Sequence, residues 1–152
     1  MKKMILSILV LVSSVAAFSQ TRLAPVKTKE EQLNEEYCTG LFKTPDGTYF
    51  DMLNDNTVTS AISYFNILDW LQGRVAGLQV YTLRDNTRLP VIRNSIASVY
   101  VDEILVNPDF LNSLPVADIA MIKIIKGPHA GIFNSSGGVI AIYTIKGDDE
   151  EE

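Results

Sequence analysis

The sequence holds one cysteine and one histidine, and it carries fewer basic than acidic groups, 13 lysines and arginines against 18 aspartates and glutamates. Each shortage excludes something. With Cys38 alone there is no internal disulfide. A catalytic triad needs a histidine beside a serine and a carboxylate, but no serine sits in a nucleophile elbow, and His129 follows Pro128 as a loop or helix-start residue. Ser135 and Ser136 lie near it in a turn-forming NSSGG run that backbone geometry explains. Structural zinc normally takes four ligands, whereas Cys38 and His129 stand far apart with no clustered partners. Asp46 and the carboxylates of residues 51–55 lack the spacing and closing glutamate of a calcium loop. The glycine-rich stretch 127–138 lacks the Lys-Ser/Thr end of a phosphate loop. The expectation is a non-enzyme with no catalytic residue, no cofactor and no metal.

What long apolar run there is comes first. Lys2 and Lys3 precede apolar residues 4–12, and Ala17 and Ser19 fit a cut before Gln20, so residues 1–19 read as a secretory signal peptide, too short to span a membrane. The chain is therefore expected to be exported to the periplasm and to span no membrane once the signal is removed. Loss of Lys2 and Lys3 takes the formal net charge from −5 to −7, which makes nucleic acid a poor partner. About 132 residues remain, enough for one domain with a hydrophobic core.

Residues 21–36, with KTKEEQLNEE at their centre, read as a flexible arm or a marginal exposed helix. Pro45-Asp46-Gly47 signals a turn that joins LFKT to TYFDML, so residues 20–57 are assigned as a polar arm and a short hairpin. Ala61, Tyr64, Phe65, Leu68, Leu71 and Val75 recur at three- and four-residue steps. That spacing predicts a helix over 60–76, capped by Thr59 or Ser60, with Arg74 in its last turn and Gly77 as a left-handed stop. Gly73 inside it points to another backbone packed close by.

Strands are predicted at 78–83, 90–93, 98–106, 120–126 and 138–146. The last two are almost wholly apolar, as strands covered on both faces are. Gly127, Gly131, Gly137 and Gly138 punctuate the turn between them. The fold class is α+β: one domain over 58–147, a small mixed β-sheet flanked by helices, with segments 108–118 and 128–134 available for crossovers. Residues 148–152 form an acidic, solubilising tail. Arg84, Arg88 and Arg93 gather around a loop in an otherwise acidic chain, which leaves open a solvated loop or a contact with an anionic partner.

Four stretches carry a family resemblance: ILDWLQGRVAGLQV at 67–80, PVIRN at 90–94, SVYVDEILV at 98–106 and DIAMIKIIKGPHAGIFNSSGGVIAIYTIKG at 118–147. Together they resemble the plug domain of TonB-dependent outer-membrane receptors, in particular the SusC/RagA-like branch. That domain has a QGRVAG or QGRVPG step from helix to strand, a strand ending in Arg-Gly, paired strands about an Asp-Gly turn, and an acidic residue, strand and Lys-Gly matched here by Asp118, Lys126 and Gly127. The resemblance covers roughly residues 65–147. Three positions depart from it. Asn94 and Asn134 stand where the family has glycine, and asparagine tolerates positive φ. Glu103 replaces the glycine after Asp102 and tolerates it less, which leaves the shape of that turn open. The turn-forming set is then Gly77, Asn94, Gly127, Gly131, Asn134, Gly137 and Gly138.

In the resembled family the plug closes a large barrel and shifts when an energy-coupling protein pulls; Leu23 to Val26 occupies the place of the coupling box. Here Gly147 precedes five acidic residues, and each barrel strand needs about 9–11 residues, so this length does not supply a barrel as well. The resemblance implies a stand-alone plug-like domain, a non-catalytic docking module linked to outer-membrane uptake, whose partner is an outer-membrane β-barrel or another envelope protein. The alternative is a soluble periplasmic carrier that binds a sugar or iron chelate through loops 84–96 and 107–117.

Overall fold

A computed structural model describes residues 26–53, 56–133 and 135–146; the stretch read as a signal peptide, residues 20–25 with most of the expected coupling-box place, residues 54–55, Asn134 and residues 147–152 with the expected acidic tail lie outside the described residues. In chain order the strands are β1 Thr48–Asp51, β2 Leu78–Thr82, β3 Arg88–Ile92, β4 Ser95–Ile96, β5 Ser98–Val101, β6 Ile104–Val106, β7 Ile119–Ile125 and β8 Val139–Thr144. The α-helices are α1 Lys29–Tyr37, α2 Ile67–Leu71 and α3 Pro128–Gly131, with 3₁₀ turns at Asn56–Ser63, Pro108–Asn112 and Val116–Asp118.

The two apolar runs near the C-terminal end pair with each other, antiparallel, as β7 and β8. They form the middle of a five-stranded mixed sheet in the order β1-β7-β8-β5-β6, in which β5 and β8 run parallel. The α+β class with a helix-flanked mixed sheet stands. A difference is that residues 78–83 and 90–93 do not join this sheet but form a second, three-stranded antiparallel one, β2-β3-β4.

Because side chains alternate across a strand, the central strands feed two cores. Ile122, Ile124, Ile140, Ile142, Val99 and Val101 face Leu68, Trp70, Leu71 and Ile92 in one cluster. Met121, Ile125, Val139, Ala141, Tyr143 and Tyr100 face Leu33, Tyr37, Cys38 and Phe42 in the other. Every residue of β7 is buried, including one charged side chain, Lys123.

Three local expectations are corrected. The helix over 60–76 is broken: a 3₁₀ turn ends at Ser63, and α2 starts only at Ile67 because the buried Asn66 leaves helical geometry, at φ −131°, and accepts from Leu68 N–H. A short polar side chain that bonds its own backbone competes with helix in this way. Ala61, Leu68, Leu71 and Val75 are buried as expected, but Phe65 is 77% exposed and Tyr64 is exposed as well. Thr59 and Ser60 are thus not the caps. The helix stops at Gln72, whose backbone turns extended, well before Gly77; Gly73 follows at φ +86°, and no backbone packs on it, since a Cβ there would meet nothing within 4 Å.

LFKT is the second correction. It forms no strand; Thr44 N–H bonds Phe42 O in a tight turn, and TYFD pairs as β1 with β7 in place of closing a hairpin. Third, the polar arm is not simply exposed. Thr28 and Glu31 make a reciprocal capping box for α1, and Leu33 and Tyr37 of that helix reach the second core.

The turn residues divide by what they do. Arg93 and Asn94, at φ 52° and 65°, make the two-residue turn from β3 to β4, and Asp102 and Glu103, at 47° and 67°, make that from β5 to β6. Both are the left-handed pairs that suit the twist of hairpins. A Cβ on Gly137 would lie 2.2 Å from Ser95 O and 2.6 Å from Ile96 O, a backbone crossing that only glycine allows. Gly131, within α3, has open space around it.

Gly137→Ala is therefore expected to cost about 1–3 kcal/mol or more through backbone displacement. Gly73→Ala should cost about 1 kcal/mol from φ alone. Urea unfolding of the two variants measures the difference, and equal losses would contradict the close approach at Gly137.

Candidate functional site

Two regions of the surface and its underlying layer are organised beyond what packing alone requires. The first is an open groove of ≈ 380 Å³ between the 3₁₀ turn at Asn56–Ser63 and residues 112–117. Ile62, Tyr64, Phe65, Leu114, Pro115 and Val116 form much of its lining, none of the described lining residues is charged, and Ile62 and Phe65 are 64% and 77% exposed. Broken helicity at Asn66 is what turns Phe65 outwards.

Beside the groove stands a polar knot. Asn112 Oδ1 accepts from Asn66 Nδ2 at 2.9 Å and from Arg88 Nη1 at 3.0 Å, while its amide donates to Asp109 Oδ1 at 2.9 Å and Asn86 O at 3.4 Å. Arg88 also donates from Nε to Asp69 Oδ2 at 2.7 Å. The structure thus brings the 84–88 loop against the 107–112 segment, with the polar groups of both engaged with one another.

The arginines do not form one cluster. Arg84 is exposed in the β2–β3 loop, and Arg88 is committed to Asp69 and Asn112. Arg93 lies past the other end of β3, about 17 Å away at 3.3 Å per residue, near Gly127 and Lys126. Burial, with Arg93 adding repulsion, pushes the Lys126 ammonium below its usual value, and Lys126 Nζ donates to Ala76 O at 2.9 Å. Gly77 and Gly127 take positive φ, at 79° and 77°, and Gly138 does so at 129°.

The second region holds segment 38–44 against the sheet. Glu103 sends its carboxylate back from the β5–β6 turn to accept from Thr39 N–H at 3.0 Å, Gly40 N–H at 3.1 Å, Leu41 N–H at 3.2 Å and Thr39 Oγ1 at 3.1 Å. Tyr143 Oη donates to the same carboxylate at 3.3 Å. Burial pushes the Glu103 carboxyl up, but the backbone N–H donors of Gly40 and Leu41, with Thr39, outweigh it and hold the group below the ordinary glutamate range.

Lys123, fully buried on β7, donates to Asn34 Oδ1 at 2.7 Å and to Phe42 O and Thr44 O at 2.6 Å each, and its ammonium lies 4.8 Å from the centre of the Tyr49 ring. Burial lowers the affinity of this amine for its proton. Beneath the segment, burial pushes the Cys38 thiol up and the Tyr49 hydroxyl up to about 12. Sequence reasoning missed both anchors. The one signal for Lys123 was a lone lysine inside the apolar run IAMIKII; Glu103 was visible only as a misfit in a turn.

Chemically the arrangement holds and positions; among the described residues no reacting group is set against another. His129 faces Asp46 at 3.2 Å, and Ser135 Oγ donates to Gly138 O and accepts from Ser98 N–H at 3.3 Å, a backbone role. Among the described residues no group of three or more His, Cys, Asp or Glu side chains could hold a metal, and no helix is long and apolar enough to cross a membrane.

No family model and no curated protein matches the sequence. Solved structures do match the fold. The RagAB peptide importer in its open-open state aligns with a TM-score of 0.52 and 23% identity, over 70% of this chain and 13% of its own. The siderophore receptor PirA from Acinetobacter baumannii aligns at 0.54 and 20%, over 80% of this chain and 19% of its own. This is the plug-like fold of TonB-dependent receptors. The ferric enterobactin receptor PfeA from Pseudomonas aeruginosa, as its R480A mutant bound to enterobactin, gives 0.52 and 18%, over 66% of this chain and 17% of its own. The plug-like chain thus spans less than a fifth of the length of each of these three structures, which are an importer and receptors rather than enzymes.

Lys123→Met leaves three oxygens without their donor and is expected to destabilise the plug-like domain by about 2–4 kcal/mol, read by urea unfolding. Glu103→Gln is expected to cost about 1–2 kcal/mol at neutral pH. Because the folded carboxyl is depressed, its contribution is present above the ordinary glutamate pKa of about 4.3 and is lost as the pH falls through the lower folded value. The gap between wild type and Glu103→Gln should therefore close on acidification; a gap constant with pH would contradict the role of the carboxylate.

Proposed function

We propose that this chain is a non-catalytic docking module of outer-membrane uptake, exported to the periplasm and seated against an outer-membrane β-barrel or another envelope protein. The observation that carries this reading is the plug-like fold it shares with an importer and two siderophore receptors. The uncharged groove at Ile62, Tyr64 and Phe65 supports it, since a concentration of exposed apolar side chains with no charge marks a surface that another molecule covers. Arg84, free of the ion pair that occupies Arg88, remains a contact for an anionic group on the same partner.

A photo-crosslinking residue placed at Ile62, on the same groove, in the full chain tests the reading in envelope preparations. Crosslinks to a β-barrel protein or a receptor lipoprotein are expected, and Phe65→Asp should abolish capture while shifting stability by no more than about 0.5 kcal/mol, because the side chain is exposed. The competing reading, a carrier for a sugar or iron chelate, predicts instead that such a solute in excess raises the melting temperature of the isolated chain. A melting shift with no barrel or receptor crosslink would overturn the docking reading.

A further inference from the structure

Segment 38–44 is joined to the rest of the fold through its main chain. Its own turns are local, Lys43 N–H to Gly40 O and Thr44 N–H to Phe42 O, and it adds no strand to either sheet. Three consecutive N–H groups, those of Thr39, Gly40 and Leu41, point at one carboxylate, Glu103. Two carbonyls, those of Phe42 and Thr44, receive the Lys123 ammonium. Both charged groups belong to the sheet and its turn, and both would meet any peptide of this backbone shape.

One side chain of the segment is gripped. Phe42 is fully buried, edge-on to Tyr100 with ring centres 4.9 Å apart and 4.7 Å from the Phe133 ring. Leu41 is 47% exposed. Recognition therefore consists of a carboxylate for N–H groups, an ammonium for carbonyls and an aromatic slot between them. Peptide-binding sites in general combine main-chain affinity with pocket specificity in this way, here for a turned rather than an extended segment.

We propose that this face of the sheet is a peptide-binding groove, that residues 39–44 are its resident and exchangeable occupant, and that it accepts in their place a short peptide segment carrying phenylalanine. The segment is suited to exchange. It belongs to neither sheet, its bonds to the body run to side chains, and Thr39, Gly40, Leu41 and Lys43 are exposed; elements held that way open at lower free energy than the core. In the closed state the groove is filled, so binding of a second peptide is weakened by the fraction of time that the resident is away.

The test uses the full chain and a fluorescein-labelled hexapeptide, Thr-Gly-Leu-Phe-Lys-Thr, the sequence of residues 39–44, read by fluorescence anisotropy. Phe42→Ala empties the slot and loosens the resident without altering the groove, and is expected to bind the peptide about tenfold or more tightly than wild type does. Adding Glu103→Ala to that variant should remove the gain, as should replacing the phenylalanine of the peptide by alanine. Equal binding to Phe42→Ala and wild type, or binding indifferent to Glu103, overturns the proposal.

Should Phe42→Ala not fold, Cys38 reports on wild type, since it lies at the root of the segment and is buried. Its alkylation at low urea is expected to proceed by local opening, at a rate nearly independent of denaturant; alkylation that follows global unfolding at every urea concentration overturns the exchange. Both measurements are made without an envelope partner, so neither outcome depends on the docking function proposed above.

Discussion

Strands β7 and β8 are apolar on both faces, and the rest of the fold follows from the need to cover each face. A sheet so built is unstable with one side in water. On one side the cover is the α2 region with the small β2-β3-β4 sheet; on the other it is α1 and segment 38–44, drawn from a stretch of sequence that looks too polar to belong to a core. Lys123 sits at the centre of that second interface. A lysine ammonium out of water must be hydrogen-bonded, and here Asn34 and the carbonyls of Phe42 and Thr44 supply the oxygens. The N-terminal cover thus satisfies a charge as well as burying apolar area.

Turn chemistry and binding geometry meet at the β5–β6 hairpin. A left-handed pair at Asp102 and Glu103 closes the hairpin, and glycine is the residue best suited to the second place. Glutamate there carries conformational strain, which its carboxylate offsets by collecting three amides of segment 38–44. Asp102 contributes too, accepting from Thr144 N–H at 2.9 Å and Thr144 Oγ1 at 2.8 Å, so the same turn is fastened to β8. A glutamate at a place that suits glycine becomes intelligible as an anchor.

The plug-like fold offers surfaces rather than reagents. Its one histidine lies 3.2 Å from Asp46 on the surface, its one cysteine is buried under a cover, and Ser135 at the glycine turn holds backbone. Apolar surface at Phe65 and Ile62 stands open for contact with other molecules, and Glu103 and Lys123 hold the main chain of segment 38–44. These two regions belong to the two different cores, on opposite faces of the five-stranded sheet.

The two terminal strands, covered on both faces, were legible in the sequence, because a nearly continuous apolar run bounded by glycine is a local property that residue type reveals. The helix over 60–76 was misread for a local reason as well: the apolar spacing was right for Leu68, Leu71 and Val75, but Asn66 bonded its own backbone and broke the run. Pairing of TYFD with β7, burial of Lys123 and the reach of Glu103 to Thr39 were decided by tertiary structure alone. Each joins groups between about 60 and 80 residues apart, and a polar residue in one segment gives no sign of the distant main-chain atoms that will satisfy it until the chain has folded and brought them together.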